Sequence, residues 1–450
     1  MKPGMEDWGE NRVTHSGPLK VWILHLLYDL CYSGLVVFLS PVILYKILTS
    51  RRSRAGIGQR MGWIPRREGS RPCIWIHGVS VGEVKAAMGL LEVLREVLPG
   101  WERVLSTTTL QGYQVAIKEH PDLLTFYYPL DFSLVTRRAL RRIRPDAVVL
   151  MELELWPNFL LACNQLGIPV CLVNGRISER SYSGYRVARK FLPEPHQRIR
   201  FYAVQNEDYA ARILDLGVRP EVVSVTGQMK YDAIQAVPEK VPQLRRDYRA
   251  GLDIGQDAWV LMGGSTHPSE EEVLLEAYRI LRQKSKDVRL ILAPRHLERL
   301  PDVEDLVKRA GFDWIRRTRM TEDQADHSDH PVILLDTVGE LGRLYATADL
   351  VFVGGSLIPH GGQSMIEPAS LGVAVVFGPH TWNFTDTVDA LLSANGSIQV
   401  QSPESLITTI LDLQADPGRR QSLGQNALEV VSSLMGATRR NADLIVKMVS

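Results

Sequence analysis

At 450 residues the chain exceeds the size at which one hydrophobic core keeps growing, so its length predicts two domains. Its 45% hydrophobic and 23% charged residues are those of a globular protein, and a net charge of +1 argues against a dedicated nucleic-acid binder, local patches aside. The four cysteines, Cys31, Cys73, Cys163 and Cys171, lie in apolar runs with no C-x-x-C spacing. That pattern disfavours a disulfide frame or a zinc site and predicts reduced thiols in a cytosolic compartment.

A polar tail, residues 1–18, precedes the apolar stretch "LKVWILHLLYDLCYSGLVVFLSPVILYKIL" from Leu19 to Leu48. Its longest part free of Asp, Glu, Lys and Arg, Leu30 to Tyr45, falls short of the about 20 residues a spanning helix needs. Extending it takes in Asp29, a costly residue at mid-bilayer. The flank carries Lys46, Arg51, Arg52, Arg54, Arg60, Arg66 and Arg67, an excess that assigns the remainder of the chain to the cytoplasmic side. The apolar region is too long for a cleaved signal peptide, and no A-x-A site lies beyond it. Residues 19–48 are therefore expected to be a membrane anchor, spanning the bilayer or lying in its interface; a soluble hydrophobic helix is the alternative.

From here strands and helices alternate, the pattern of a parallel α/β sheet. Strands are expected at Cys73–His77, Arg103–Thr107, Leu124–Tyr128, Ala147–Leu153, Val170–Asn174, Phe201–Val204 and Val222–Val225. The first runs through "CIWIHGVSVGEVKAAMGLLEVL" into a helix whose opening carries Glu83, with Ser80 or Gly82 as cap. A carboxylate in a first helical turn is favoured by the helix dipole, so helix capping competes with a catalytic role for Glu83. In "AVVLMELELWPN" (147–158) strand alternation puts Glu152 and Glu154 on one face. Two carboxylates ending a buried run are costly unless paired, which points to function; a sheet edge reaching solvent is the alternative. Arg176 in "NGRISERSYSGY" sits just past a strand, as does Lys230 in "TGQMKYD". A lysine there can meet developing negative charge or simply serve the surface. "RRALRRIR" (137–144) reads as a solvated helix face or as part of a basic surface.

"AVPEKVPQLRRDYRAGLDIGQDA", with two prolines and many charges, breaks the alternation, and residues 236–257 are expected to link the domains. A second series of strands is expected at Trp259–Met262, Arg289–Ala293, Trp314–Arg316, Val332–Leu335, Leu350–Val353 and Val373–Phe377. Two α/β domains of similar size invite a cleft, with ligands beyond the carboxyl ends of the strands. "LAPRHLER" ends a strand with Arg295, well placed for a phosphate, and "DTVGEL" offers backbone donors around Gly339 and Glu340. "DLVFVGGSLIPHGGQSMIEPASLGVAVVFGPHTWNF" (349–384) holds two glycine pairs and a helix opening near Ile366, with Glu367 in its first turn. Free N–H groups at such a start can hold phosphate, and Glu367 can accept from ribose hydroxyls. Three glycine-bearing strand ends in one half point to a nucleotide. No G-x-G-x-x-G with an acid about 20 residues on is present, nor a Walker A motif, which disfavours a dinucleotide dehydrogenase. Histidines 77, 267, 296, 360 and 380 lie in separate segments without metal-ligand spacing.

"HGVSVGEV", "MELELWPN", "NGRISERS", "TGQMKYD", "APRHLER" and "GGQSMIEPASLGVAVVFGPHTWNF", in this order, resemble the Kdo transferases over roughly residues 55–430. These enzymes add 3-deoxy-D-manno-octulosonic acid (Kdo) to the lipid A precursor of lipopolysaccharide. The resemblance implies a GT-B fold of two Rossmann-like domains facing a cleft, 49–235 on the lipid acceptor side and 258–425 on the donor side, with a C-terminal helix at 426–450. It implies CMP-Kdo as donor substrate, no metal and no separate cofactor, and membrane lipids as partners of the N-terminal segment. Carried over by position, the catalytic base falls on Glu83 and transition-state stabilisation on Glu152 and Lys230. The CMP site falls on Pro294, Arg295, Val338, Gly339, Glu340, Ser364, Met365, Ile366 and Glu367. Where the family usually has Asn-Pro-Leu-Glu, this chain has Ser364-Met365-Ile366-Glu367; backbone contacts survive that change, but an Asn side chain is shortened to a hydroxyl. The rival readings are a GT-B enzyme using a UDP-sugar, a sugar-nucleotide epimerase, or a membrane-tethered binding protein that has lost catalysis.

Overall fold

The computed structural model describes residues 18–50, 54–188, 198–232, 241–320 and 331–450. The polar tail up to residue 17, Arg51, Arg52 and the first part of the expected link, 236–240, lie outside them. The chain forms two α/β units: residues 1–233 with 436–450, and residues 234–435. Each is built on one all-parallel seven-stranded sheet, the paired Rossmann-like architecture of the GT-B class.

In the first unit the strands are β1 (Cys73–His77), β2 (Glu102–Thr107), β3 (Leu124–Tyr127), β4 (Ala147–Met151), β5 (Val170–Gly175), β6 (Tyr202–Val204) and β7 (Val223–Val225), in the order β3-β2-β1-β4-β5-β6-β7. Parallel strands must be covered on both faces, and the alternation along β1 divides the two cores. Ile74 and Ile76 point to one face, packed by Val84, Ala87, Met88 and Leu91 of helix α2 (Val81–Val97) and by Ala442 and Ile445 of the C-terminal helix Ala437–Val449. Cys73 and Trp75 point to the other, under Ala139, Leu140 and Ile143 of α3 (Ser133–Ile143) and Phe159, Leu160 and Cys163 of α4 (Pro157–Gln165). The chain's last helix thus returns to the first unit. Asp232 holds its start by accepting hydrogen bonds from the N–H groups of Gly436 and Thr438.

The apolar N-terminal stretch is one helix, α1 (Pro18–Thr49), and Trp22–Val42 is long and apolar enough to cross a membrane. Asp29, the residue that counted against a span, is paired within the unit. Its carboxylate accepts from Ser133 N (2.9 Å), Ser133 Oγ (2.6 Å) and Asn158 Nδ2 (3.0 Å), while His25 Nδ1 meets Asn158 Oδ1 at 2.6 Å. One polar stripe of α1 therefore docks on α3 and α4, and its apolar remainder is exposed, up to 80% at Phe38.

The second sheet runs β10-β11-β9-β8-β12-β13-β14, from β8 (Trp259–Thr266), β9 (Val288–Pro294), β10 (Trp314–Arg316), β11 (Val332–Leu334), β12 (Leu350–Val353), β13 (Ala374–Phe377) and β14 (Ser397–Gln399). β8 continues past its expected end at Met262, because Gly263 and Gly264 still pair with Phe352 and Val353 of β12. A Cβ on Gly264 would fall within 2.1 Å of the Tyr345 hydroxyl, so glycine there answers a close approach rather than a strand end. The described part of the expected link is also structured. Helix Val241–Gly251 belongs to the second unit, where the fully buried Arg249 donates to the carbonyls of Thr347, Gly255, Gln256 and Ala258 and to the Asp349 carboxylate.

Removing one member of a buried hydrogen-bonded ion pair costs about 3–5 kcal/mol. Arg249→Ala is therefore expected to lower the stability of the second unit to urea by an amount in that range, and an unchanged midpoint would show that Arg249 does not hold the helix in place.

Candidate active site

In the first sheet the chain leaves β1 to one side for β2 and later returns to the other side for β4. Such a reversal opens a crevice beyond the carboxyl ends of the two strands. The loop after β1 is Gly78-Val79-Ser80, pinned from the β2 side by Thr107 Oγ1 and Thr109 Oγ1, each donating to Val79 O at 3.0 Å. Ser80 then caps α2: its Oγ accepts from Glu83 N at 3.2 Å. Glu83 answers with both carboxylate oxygens, Oε1 on Ser80 N (3.1 Å) and Oε2 on Val79 N (2.9 Å). This is a capping box, so the capping role expected from the sequence is realised. Two N–H bonds leave lone-pair sites on the carboxylate for a further donor, and the side chain keeps 8% exposure.

Beyond β4 the structure departs from the expected strand Ala147–Leu153. The strand ends at Met151 because Glu152 turns to φ 56°, a left-handed conformation rare for a side chain of this kind. Alternation consequently does not govern Glu152 and Glu154. Both are partly buried and both feel Glu83. Burial, then the Glu83 charge, pushes the Glu152 carboxyl up to about 7, against a smaller lowering by Arg176. Burial and Glu83 do the same for Glu154, also to about 7, opposed by the hydrogen bond from Trp156 Nε1 to Glu154 Oε2 (2.8 Å). The site thus holds a clamped carboxylate beside two that change protonation near neutrality, an arrangement suited to acid–base work. Asn174, also at positive φ, accepts from Met229 N through its Oδ1 (3.1 Å) and so draws the single turn bearing Lys230 toward the end of β5. Lys230 is exposed, its Nζ 5.2 Å from the Tyr231 ring centre. His77, closing β1, is buried against Tyr128 with ring centroids 3.9 Å apart, and burial brings its imidazole down to about 3, a neutral packing group.

In the second sheet the reversal lies between β8 and β12. Glu270, which opens helix α5 (Glu270–Lys284), ties the two strand ends together. Its carboxylate accepts from the N–H groups of His267 (2.9 Å), Gly355 (2.8 Å), Ser356 (3.1 Å) and Leu357 (3.1 Å). Glu270 is not among the residues expected from the sequence; its signal there is an acid three residues after His267, at the mouth of a helix. Pro294 ends β9, and the exposed Arg295 donates its N–H to Thr266 O at 3.0 Å, beside β8. Val338 is 88% exposed and Gly339 takes φ 88°. Glu340 turns its carboxylate to Thr337 Oγ1 (2.7 Å). The helix expected near Ile366 is a single turn, Ile366–Ala369, with Met365 fully buried and Ser364 half-buried. Glu367 reaches the other turn, since a Cβ on Gly342 would lie 3.3 Å from its Oε2, and burial raises its carboxyl above the usual range. The 336–342 and 364–367 turns therefore meet, while Arg295 sits with the end of β8.

The family profile described as 3-deoxy-D-manno-octulosonic-acid transferase (kdotransferase) matches residues 55–233. The 3-deoxy-D-manno-octulosonic acid transferase of Haemophilus influenzae is 32% identical, over 92% of this chain and 97% of its own length. That of Chlamydophila psittaci is also 32% identical, over 83% of this chain and 85% of its own. Among solved structures, the UDP-GlcNAc 2-epimerase of Neisseria meningitidis bound to UDP-GlcNAc aligns with a TM-score of 0.56 at 13% identity, covering 83% of this chain and 100% of that one, a likeness of fold.

Because the folded-state values of Glu152 and Glu154 lie near 7 against an ordinary 4.5, the folded protein holds protons that the unfolded chain has released between those limits. Stability is therefore expected to fall as pH rises from about 4.5 to 7. Replacing both by Gln should flatten melting temperature against pH in that window; a slope equal to wild type would remove the cluster from the titration.

Proposed function

The chain belongs to the Kdo transferases, a family of glycosyltransferases, and from that membership we propose that it moves Kdo from CMP-Kdo to the lipid A precursor, lipid IVA, in lipopolysaccharide biosynthesis. The observation that carries the proposal is the carboxylate cluster at the reversal of the first sheet, in which Glu83 stands within electrostatic reach of Glu152 and Glu154.

In the proposed reaction a sugar hydroxyl of the acceptor gives its proton to Glu83 while its oxygen attacks the anomeric carbon of Kdo. The bond from that carbon to the phosphate oxygen breaks, and CMP leaves with the electron pair. Attack opposite the leaving group inverts the anomeric configuration through an oxocarbenium-like state. Glu152 and Lys230 stabilise that state, and Lys230 and Arg295 balance the charge gathering on the phosphate in place of a metal ion. Pro294, Arg295, the turn Val338-Gly339-Glu340 and the run Ser364-Met365-Ile366-Glu367 hold CMP. The glycine of the first turn and the buried Met365 behind the second favour contacts through backbone groups. Support for the base comes from the capping box, which fixes the Glu83 carboxylate before any substrate arrives and so limits the reorganisation that proton transfer requires.

The acceptor is a membrane lipid, and the exposed apolar remainder of α1 suits attachment to the inner membrane, with both units on the cytoplasmic side. Arg54 and Arg66 are exposed after the helix and suit anionic lipid headgroups and the phosphates of the acceptor, whereas the Arg60 guanidinium donates to Thr108 O and Arg67 is buried against Glu102.

General-base assistance is typically worth about 10²–10⁴ in rate. Glu83→Gln keeps the shape of the side chain and is expected to reduce Kdo transfer by about that factor while leaving CMP affinity unchanged. Full activity in this variant would return Glu83 to helix capping alone and shift the base to Glu152.

A further inference from the structure

The loop between β4 and α4, Glu152 to Trp156, carries the two carboxylates that feel the Glu83 charge. One end is tied to the sheet, where Glu152 N donates to Val173 O at 2.9 Å. Glu152 there holds φ 56°, a conformation that persists only where neighbours over-determine it. The other end has no cap of its own. Trp156 makes no side-chain bond to the helix it precedes, and Pro157 has no N–H to offer. The next free donors of α4, Asn158 N and Phe159 N, must find their acceptor on another element.

Asp131, just before α3, supplies it: its carboxylate accepts from Asn158 N at 3.0 Å and Phe159 N at 2.7 Å. Tyr32 of α1 donates to the same carboxylate. Asn158 is fully buried, and its amide is used completely. Nδ2 donates to Asp131 O (2.7 Å) and to Asp29 Oδ1 (3.0 Å), while Oδ1 accepts from His25 Nδ1 (2.6 Å). Two of these three amide bonds, and the Tyr32 bond, come from α1. Two residues earlier in the chain, the Trp156 indole lies against Tyr128, with ring centroids 6.0 Å apart, and donates from Nε1 to Glu154 Oε2 at 2.8 Å. The path from α1 to a carboxylate of the candidate active site thus runs through Asn158 and Trp156 alone. A tether needs only apolar surface. Asp29 and His25 are a cost to lipid, and both are directed at the start of α4.

We infer that His25, Asp29 and Tyr32 of α1 are positioning residues for catalysis, fixing the Glu152–Trp156 loop through Asn158 and Asp131. The apolar helix is then part of the active-site scaffold as well as an attachment to the membrane. The inference rests on Kdo transfer as the reaction whose rate reads the loop.

Asp29→Leu separates the two roles, because it makes α1 more apolar: a helix that only tethers keeps its membrane binding and loses no turnover. In detergent, with lipid IVA and CMP-Kdo, small misplacements near the reacting groups are costly, so kcat of the full-length variant is expected to fall by about ten- to a hundredfold. KM for CMP-Kdo is expected to stay unchanged. Asp29→Asn keeps an acceptor oxygen and should recover most of the loss. Tyr32→Phe removes only a hydroxyl and should lower kcat in the same direction, which keeps the test open if Asp29→Leu fails to fold. Amide hydrogen exchange gives a readout independent of turnover: in Asp29→Leu it should speed up at residues 152–159 and stay unchanged in α2. Undiminished kcat in Asp29→Leu and Tyr32→Phe overturns the inference while leaving Kdo transfer in place. Faster exchange spread evenly over the first unit also overturns it, since Asp29 would then serve stability alone. A wild type that transfers no Kdo overturns the proposed reaction, and the rate role of α1 with it, whatever the exchange shows.

Discussion

Everything at the two candidate sites depends on one constraint, the reversal of strand order in an all-parallel sheet. Where the chain departs to opposite sides of β1, or of β8, the loops beyond adjacent strands separate and leave backbone groups without partners. Each unit closes that gap with a single glutamate. Glu83 spans the loop after β1 through two N–H bonds, and Glu270 spans the loops after β8 and β12 through four. The same solution has different consequences. Glu270 is fully buried and its bonds hold the Gly355 loop in position, whereas Glu83 keeps a small exposure and imposes its charge on Glu152 and Glu154.

The two edges consequently carry opposite chemistry. The first gathers carboxylates, two of which hold protons near neutrality, and fits a group that must accept a proton from a hydroxyl. The second presents the exposed Arg295, His296 and His360 and fits a group that arrives as an anion. Burial is the common cause. It raises the carboxyls at one edge and lowers the His267 imidazole at the other, because in each case the charged form loses water.

Much of the fold is legible because buried parallel strands read as short apolar runs. Cys73–His77 and Trp314–Arg316 have the same bounds in the sequence pattern and in the structure, and the strand ends that differ most do so for local reasons. β4 stops two residues early because Glu152 turns to positive φ, which apolar patterning does not record. β8 runs four residues long because its two glycines answer close neighbours, Leu274 at Gly263 and the Tyr345 ring at Gly264, rather than a turn. The capping of Glu83 is legible from Ser80 three residues before it. The meeting of His267, His296 and His360 is not, since they are joined only by the order of strands in the sheet. The role of Asp29 is equally hidden, because its partners, Ser133 and Asn158, lie more than one hundred residues away. A polar stripe on an apolar helix looks like a cost to membrane insertion and is instead the face that docks on the protein.

The most direct test of donor binding at these reversals is amide hydrogen exchange of the full-length protein with and without CMP. The expected result is slowed exchange in the loops beyond the carboxyl ends of β8, β9, β11 and β12, around His267, Arg295, Gly339 and Gly355–Ser364, with the amino-terminal ends of the same strands unaffected. Protection confined to the opposite edge of the sheet, or spread over surfaces remote from these loops, would contradict the placement of the donor at the reversal.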